Sequence, residues 1–140
     1  MRAFSVAVLA AGVAAACLVV PQARAQAAQD DPGARDLGAR EYTAHCAECH
    51  GAGGRGDGPA ARGSKLPVPD LTALAQRAGG SFPAERVRRV IDGRDDLKGH
   101  AGRTMPVWGL RYARAQAGEG EAAVTQRLDA LVAHLRSLQR

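Results

Sequence analysis

The sequence predicts an all-α fold, and three observations indicate it. Apolar residues recur with the 3.6-residue period of a helix between about Gly120 and Leu138. No stretch of the 140 residues shows the period-two alternation or the bounded apolar run of a strand. Glycine and proline are frequent in the middle of the chain, so the predicted helices are joined by long irregular loops. The apolar positions of the last helix are Val124, Leu128, Leu131, Val132, Leu135 and Leu138.

The N-terminus has the features of a secretory signal peptide. Arg2 provides a positive start, residues 3–20 are apolar apart from two small residues, and Ala23-Arg24-Ala25 is a small-residue cleavage pattern. We therefore expect residues 1–25 to be cleaved on export, and the composition with this cleavage site indicates a bacterial periplasm. An uncleaved membrane anchor is the alternative, because the eighteen residues of the apolar stretch are just long enough to span a bilayer.

Cleavage would leave a flexible segment, residues 26–35, and one domain, residues 36–140, with no membrane span. It would remove Arg2 and Arg24 but no acidic residue, so the count of Lys and Arg falls from 19 to 17 against 14 Asp and Glu. The net charge then falls from +5 to +3. An excess this small does not indicate a nucleic-acid partner.

A first helix is expected to begin near Pro32 or Asp36 and to run into the residues from Cys46 onwards. Its core-facing residues would be Leu37, Tyr42 and Ala44. The following stretch, residues 51–63, contains six glycines and is predicted to be irregular. Glycine there would permit a positive φ and a close approach of the backbone to a flat ligand.

Two shorter helices are expected in the middle of the chain. Residues 66–72 should be extended, because a residue before proline disfavours helix, and Asp70 or Thr72 would cap a short helix after them. A second helix would begin after Ser81-Phe82-Pro83 and end at Gly93. Its apolar positions are Phe82, Val87, Val90 and Ile91.

Residues 46–50, Cys-Ala-Glu-Cys-His, carry the most specific signal. Cys46 and Cys49 are three positions apart, so one helical turn puts both on one face, where each can form a thioether with a haem vinyl group. His50 would then bind the iron from that side. A zinc site needs a second ligand pair and a thioredoxin-type pair needs a βαβ pattern, and the sequence has neither. With Cys17 cleaved off, both remaining cysteines are used and no disulfide is expected.

Met105 is the expected sixth ligand of the iron, since a soft thioether suits that position. It is the only methionine left after cleavage, and it lies fifty-five residues after His50 in a loop with proline and glycine. Methionines that merely fill a core usually lie on amphipathic helices. Among the other histidines, His100 precedes Met105 and is the best alternative ligand, His45 is expected at the surface, and His134 is expected to pack on the last helix.

Together these motifs resemble those of the class I monohaem cytochromes c of the bacterial periplasm, over Leu37 to Leu138. The resemblance implies a small all-α cytochrome c fold, in which the N- and C-terminal helices cross beside one covalently bound haem c, with long Gly/Pro-rich loops. The segments that carry it are Cys46-Ala47-Glu48-Cys49-His50-Gly51, Gly56-Asp57-Gly58-Pro59, Pro69-Asp70-Leu71-Thr72, Met105-Pro106-Val107-Trp108-Gly109 and Leu131-Val132-Ala133-His134-Leu135.

The same resemblance assigns roles to individual residues. Gly38 and Tyr42 would make the helix crossing with His134, at a position that usually carries an aromatic residue. The Pro59 carbonyl would accept a hydrogen bond from the second ring N–H of His50, which would fix the tautomer of the imidazole.

The implied function is one-electron transfer rather than catalysis, because His50 and Met105 would fill both axial positions of the iron. Expected partners are redox proteins, such as a dehydrogenase, a cytochrome complex or an oxidase. A subunit fixed to such a complex, and a haem protein with an open sixth position for a gas or peroxide, are the alternatives. Five loop residues would form a docking surface for an acidic partner or else be ordinary solvated charges: Arg55, Arg62, Lys65, Lys98 and Arg103.

Overall fold

A computed structural model describes residues 32–63, 67–95, 105–115 and 120–140, and within these segments helices are the only regular elements. The predicted all-α fold is confirmed. The residues of the predicted signal peptide, 1–25, lie outside the described residues, as do Lys65, Lys98, His100 and Arg103. The elements are α1 (Pro32–His45), α2 (Ala47–His50), a 3₁₀ turn (Pro59–Gly63), a second 3₁₀ turn (Leu71–Ala73), α3 (Leu74–Arg77), α4 (Ala84–Asp92), α5 (Trp108–Ala115) and α6 (Gly120–Ser137).

Helices α1 and α6 form the most extensive contact between any two of these elements. They approach closely at Gly38, where any side chain would collide with the backbone carbonyl of Ala130 on α6. One turn further along α1, the Tyr42 ring packs against the His134 ring with centroids 5.0 Å apart. The crossing implied by the resemblance is therefore confirmed at the residues expected to make it, with histidine in the aromatic position.

The core lies where α4 and α5 pack against this crossing. Leu128, Leu131 and Leu135 of α6 are its most central aliphatic residues, each at most 5% exposed. Full burial of such a side chain contributes about 1.5–3 kcal/mol. The remaining members of the buried cluster are Tyr42, Val87, Ile91, Trp108, Tyr112 and Val132.

The shorter elements end where the sequence indicates. Asp70 accepts a hydrogen bond from the Thr72 backbone N–H at 2.8 Å, so it caps the turn that leads into α3. Helix α4 ends at Gly93, whose φ of 83° is the left-handed conformation that glycine adopts at low cost. The described helices include none that is both long and apolar enough to cross a membrane.

Three details of the predicted elements were wrong. Ala44 is exposed, because residues two apart on a helix lie on nearly opposite faces and Tyr42 takes the buried one. Trp108 begins a helix rather than continuing the extended segment, since a proline two residues earlier does not prevent a helix from starting. The glycine-rich stretch also ends in a 3₁₀ turn that begins at Pro59, a residue type tolerated in a first turn.

Helix α1 begins at Pro32, the earlier of the two expected starts. Residues 32–35, grouped with the flexible segment in the expected division of the chain, thus form the first turn of α1. Leu37 is half-buried and Tyr42 fully buried, as expected for the core-facing side of this helix.

Candidate functional site

A cavity of about 410 Å³ lies beside the helix crossing, and Cys46, His50 and Met105 all contribute to its wall. Its volume falls in the range of roughly 300–1,000 Å³ that is usual for small-molecule and cofactor sites. The rest of the wall is mostly apolar and comes from α1, α3, α4, α5, α6 and the segment before α3: Tyr42, Pro69, Leu71, Leu74, Arg77, Ala78, Pro83, Arg86, Val87, Val90, Ile91, Trp108, Leu131 and Leu135.

The Cys-x-x-Cys-His motif is fixed by helical backbone that continues from α1 into α2. The Cys46 N–H donates to the Tyr42 carbonyl at 2.8 Å, and the His50 N–H donates to the Cys46 carbonyl at 2.8 Å. Cys46 is half-buried in the cavity wall, whereas Cys49 is exposed and is not part of that wall. The structure thus brings Cys46 and His50 to the cavity wall and leaves Cys49 exposed to solvent.

The pKa of the Cys46 thiol distinguishes this site from that of a catalytic or redox-active cysteine. Burial, together with the nearby charges of Glu41 and Cys49, raises the pKa of the Cys46 thiol to about 12. Catalytic and redox cysteines instead have a lowered pKa, because the thiolate is the reactive form. A thiol held neutral at pH 7 therefore argues against a thioredoxin-type pair.

His50, the last residue of the motif, is buried, and its Nδ1 atom lies 3.4 Å from the Pro69 carbonyl oxygen. An imidazole that carries its proton on Nδ1 can donate to this carbonyl, which leaves the lone pair of Nε2 free to bind a metal ion. The predicted hydrogen bond from His50 to the Pro59 carbonyl stays a prediction. Pro59 itself is exposed at the start of its 3₁₀ turn.

The glycine-rich loop is tied to the motif by backbone hydrogen bonds. The Gly56 N–H donates to the His50 carbonyl at 2.8 Å, and the Gly58 N–H donates to the Cys49 carbonyl at 3.2 Å. Gly56 has a φ of 78°, and a side chain there would collide with the Val68 carbonyl. Glycine is thus required where the loop passes between the motif and the segment before α3.

Met105 reaches the same cavity from a distant part of the chain. It is half-buried, packs against the core cluster and lies three residues before Trp108, which also lines the cavity. The fifty-five-residue separation between His50 and Met105 is therefore closed by the fold. The comparison with His100 stays untested, since His100 lies outside the described residues.

The other described histidines lie away from the cavity wall. The His45 ring packs on Trp108, with centroids 4.7 Å apart, and its Nε2 lies 3.4 Å from a Glu41 carboxylate oxygen. Burial lowers the pKa of His134, which packs on Tyr42 as expected. Among the described histidines, His50 alone lines the cavity.

Two arginines in the wall were not foreseen from the sequence. Arg77 is the last residue of the short helix α3 and Arg86 lies on α4, and both contribute to the cavity wall while remaining exposed. The Arg77 guanidinium also donates to the Asp70 carbonyl at 2.6 Å. Arginine is common on helices, so nothing in the local sequence distinguishes these two from other surface arginines.

The site can now be compared with known proteins. A family model described as cytochrome c matches residues 36–139. The chain belongs to the cytochrome c family. Searches of curated proteins and of solved structures gave no match. Membership of this family implies a covalently bound haem c and supports haem-based electron transfer in general terms.

The residues of this cytochrome c fit a haem. An apolar cavity suits the face of a macrocycle, and imidazole and thioether are both axial ligands known for c-type haem. Arg77 and Arg86 provide cations at the wall, which match the two carboxylates of a haem. The motif pair Cys46 and Cys49 would supply the thiols for covalent attachment.

Proposed function

We propose that this cytochrome c is a one-electron carrier with a single haem c attached through Cys46 and Cys49 and ligated by His50 and Met105. The observation that supports this most directly is that Cys46, His50 and Met105 line one apolar cavity. Helical continuity can bring Cys46 and His50 together, but only the tertiary fold brings Met105 to them. Two potential axial ligands at one cavity favour a carrier over a protein that binds substrate at the iron.

The bound haem supplies an iron that alternates between the ferrous and ferric states, and a His/Met pair raises its reduction potential. The protein's part is to hold both ligands and to keep water away. Val87, Ile91, Leu131 and Leu135 form an apolar wall for that purpose. Arg77 and Arg86 would hold the carboxylates of the haem by charge-assisted hydrogen bonds.

The carrier is proposed to act in a bacterial periplasm after cleavage of residues 1–25, and to exchange electrons with a dehydrogenase, a cytochrome complex or an oxidase. The N-terminal sequence supports export, through its positive start, apolar stretch and small-residue cleavage pattern. Covalent attachment of the haem suits an exported carrier, because the cofactor then cannot be lost to the surrounding solution.

Extraction of the purified holoprotein with acidic acetone tests the attachment. Haem bound by two thioethers stays with the protein, and no free thiol is then titratable at Cys46 or Cys49. Haem in the extract together with two titratable thiols would refute covalent attachment.

Exposure of the purified holoprotein, reduced to its ferrous state, to carbon monoxide tests the ligation of the iron. An unchanged spectrum is expected if the iron has two protein ligands, whereas immediate carbon monoxide binding would favour a gas- or peroxide-binding haem.

Purification from native membranes and periplasm separates a free carrier from a complex subunit. Stoichiometric co-purification with a dehydrogenase or oxidase would favour the subunit.

A further inference from the structure

A buried carboxylate lies close to the attachment motif and has no part in the function proposed above. Glu41, on α1, is only 6% exposed. One of its oxygens accepts a hydrogen bond from the guanidinium of Arg127 on α6, whose side chain is half-buried at 26% exposure. The other oxygen lies 3.4 Å from His45 Nε2. Glu41 and Arg127 are therefore an ion pair between the two crossing helices.

Glu41 lies on α1 directly before Tyr42, which lines the cavity, and five residues before Cys46, which would carry the haem. Two causes contribute most to the raised pKa of the Cys46 thiol: the largest is its burial, and the second is the nearby charge of Glu41. The pKa of the Tyr112 hydroxyl is also raised, first by burial of the hydroxyl and then by the same Glu41 carboxylate. His45, which lies against Glu41, packs with its ring on Trp108, and Trp108 lines the cavity.

Stability alone does not account for a buried ion pair. Removing two charges from water costs several kcal/mol per ion, and well-packed apolar residues often replace such a pair without loss. The location of the pair gives it a second consequence. An anion near a haem stabilises the ferric state, which carries one more positive charge, and a cation stabilises the ferrous state. Both effects are screened weakly where water is excluded.

We infer that Glu41 and Arg127 set the reduction potential of the haem by opposing electrostatic effects, Glu41 lowering it and Arg127 raising it. This inference rests on the proposed function, because it requires a haem attached at Cys46. Glu41 and Arg127 act on the haem through space, and neither is a ligand of the iron. His45 and Tyr112 complete the surroundings of the carboxylate.

Redox titration of holoprotein variants tests the inference. Glu41→Gln should raise the ratio of ferrous to ferric protein at a fixed applied potential by roughly threefold to tenfold, and tenfold corresponds to 59 mV for one electron. Arg127→Gln should change the ratio in the opposite direction. A purely structural role would not predict opposite signs, because both variants break the same ion pair.

Two matched controls share the chemistry of these changes but not the location. Glu48→Gln removes an acid that lies between the two cysteines yet is exposed, and Arg40→Gln removes a cation that is 64% exposed and paired with the equally exposed carboxylate of Asp36. Because solvent screens these charges, both controls should change the ratio by less than twofold. Equal shifts in Glu48→Gln and Glu41→Gln would overturn the inference.

The double variant Glu41→Gln/Arg127→Gln gives a decision even if Arg127→Gln alone does not fold, since it leaves no charge unpaired. Its potential should lie below that of Glu41→Gln, because the cation that favours the ferrous state is gone. Equality of these two potentials, or a shift of both single variants in one direction, would refute the inference. Absence of attached haem in the unaltered protein would instead refute the proposed function.

Discussion

Two walls of the cavity carry the proposed iron ligands, the His50 wall formed by residues 46–50 and the Met105 wall formed by the segment before α5, and they are built in different ways. On the His50 side, one continuous helical path runs from α1 through Cys46 to His50, and the glycine-rich loop adds hydrogen bonds to the His50 and Cys49 carbonyls. On the Met105 side, the residue lies in an irregular segment before α5. The neighbouring Val107 packs directly over Gly93, where α4 ends.

This difference separates attachment from ligation. The His50 wall is determined by residues close together in the sequence, so its geometry is established as soon as α1 and α2 form. The Met105 wall depends on the packing of α4 and α5, so it forms only with the tertiary structure. Changes on the first wall should therefore affect cofactor retention and folding, and changes on the second should affect mainly the iron.

The largest effect is expected from loss of both thioethers. Cys46→Ser/Cys49→Ser should prevent covalent attachment and leave the 410 Å³ cavity to be filled by water or by collapse. The wall is mostly apolar, and apolar surface left in water costs about 25 cal/mol per Å², so loss of the cofactor should remove a large part of the stability of a small domain, about 5–15 kcal/mol. Circular dichroism should show a large loss of helix, and native-like helicity without haem would contradict this.

A smaller effect is expected at the helix crossing, which supports the His50 wall. Gly38→Ala should force α1 away from the Ala130 carbonyl and lower the free energy of unfolding by about 1–3 kcal/mol. Gly53→Ala is the matched control, because a side chain there would meet no atom within 4 Å. Thermal unfolding of the two holoproteins checks this, and equal midpoints would show that the helices do not approach so closely.

Gly93→Ala perturbs the Met105 wall alone. It adds a side chain in a left-handed conformation and pushes against Val107, so ferrous iron should become more accessible to carbon monoxide while the haem stays attached. Gly79→Ala has the same strain at a φ of 79° but meets no neighbouring atom, and it should leave the iron unaffected. If both variants bind carbon monoxide equally, backbone strain rather than displacement of Val107 is the cause.

The smallest effect concerns the Asp70 cap beside the cavity. Hydrogen bonds from Thr72, with the positive charges of Arg140 and Arg77, hold the pKa of Asp70 below its ordinary value of 3.8. Because the folded-state pKa is lowered, this carboxylate contributes stability above pH 3.8, and the contribution is lost as pH falls through the folded value. Asp70→Asn should thus unfold at a lower temperature than the unaltered protein at pH 7.

The difference between these two proteins should shrink as the pH is lowered below 3.8 and through the folded-state pKa, where Asp70 itself becomes protonated. Asn keeps an oxygen that can cap the turn, so the comparison isolates the charge. Calorimetry at a series of pH values measures it. A difference that is the same at both ends of the series would show that the carboxylate charge has no role.

The extent of sequence prediction follows the same division. The motif, the Asp70 cap and the end of α4 at Gly93 depend on neighbouring residues, and the sequence predicted each of them. Gly38, Tyr42 and His134 were predicted through the family resemblance. The family itself is confirmed, whereas the roles of Cys46, Cys49, His50, Met105 and Pro59 toward a haem remain predictions.

What the sequence did not predict depends on distant contacts. Glu41 and Arg127 are eighty-six residues apart, and neither has a local feature that marks it as half of a buried pair. Arg77 and Arg86 become wall residues only because α3 and α4 pack beside the crossing. Helix α5 was missed because Pro106 was given more weight than the apolar residues that follow it.

Ligation by Met105 is the central claim, and the reduction potential of Met105→Ala tests it most directly. Loss of the thioether should leave the haem attached, lower the potential, and open the sixth position to water or added carbon monoxide. Met105→His is the companion variant, since an imidazole should restore two protein ligands without restoring the high potential. A Met105→Ala protein with an unchanged potential and no response to carbon monoxide would show that Met105 is not a ligand.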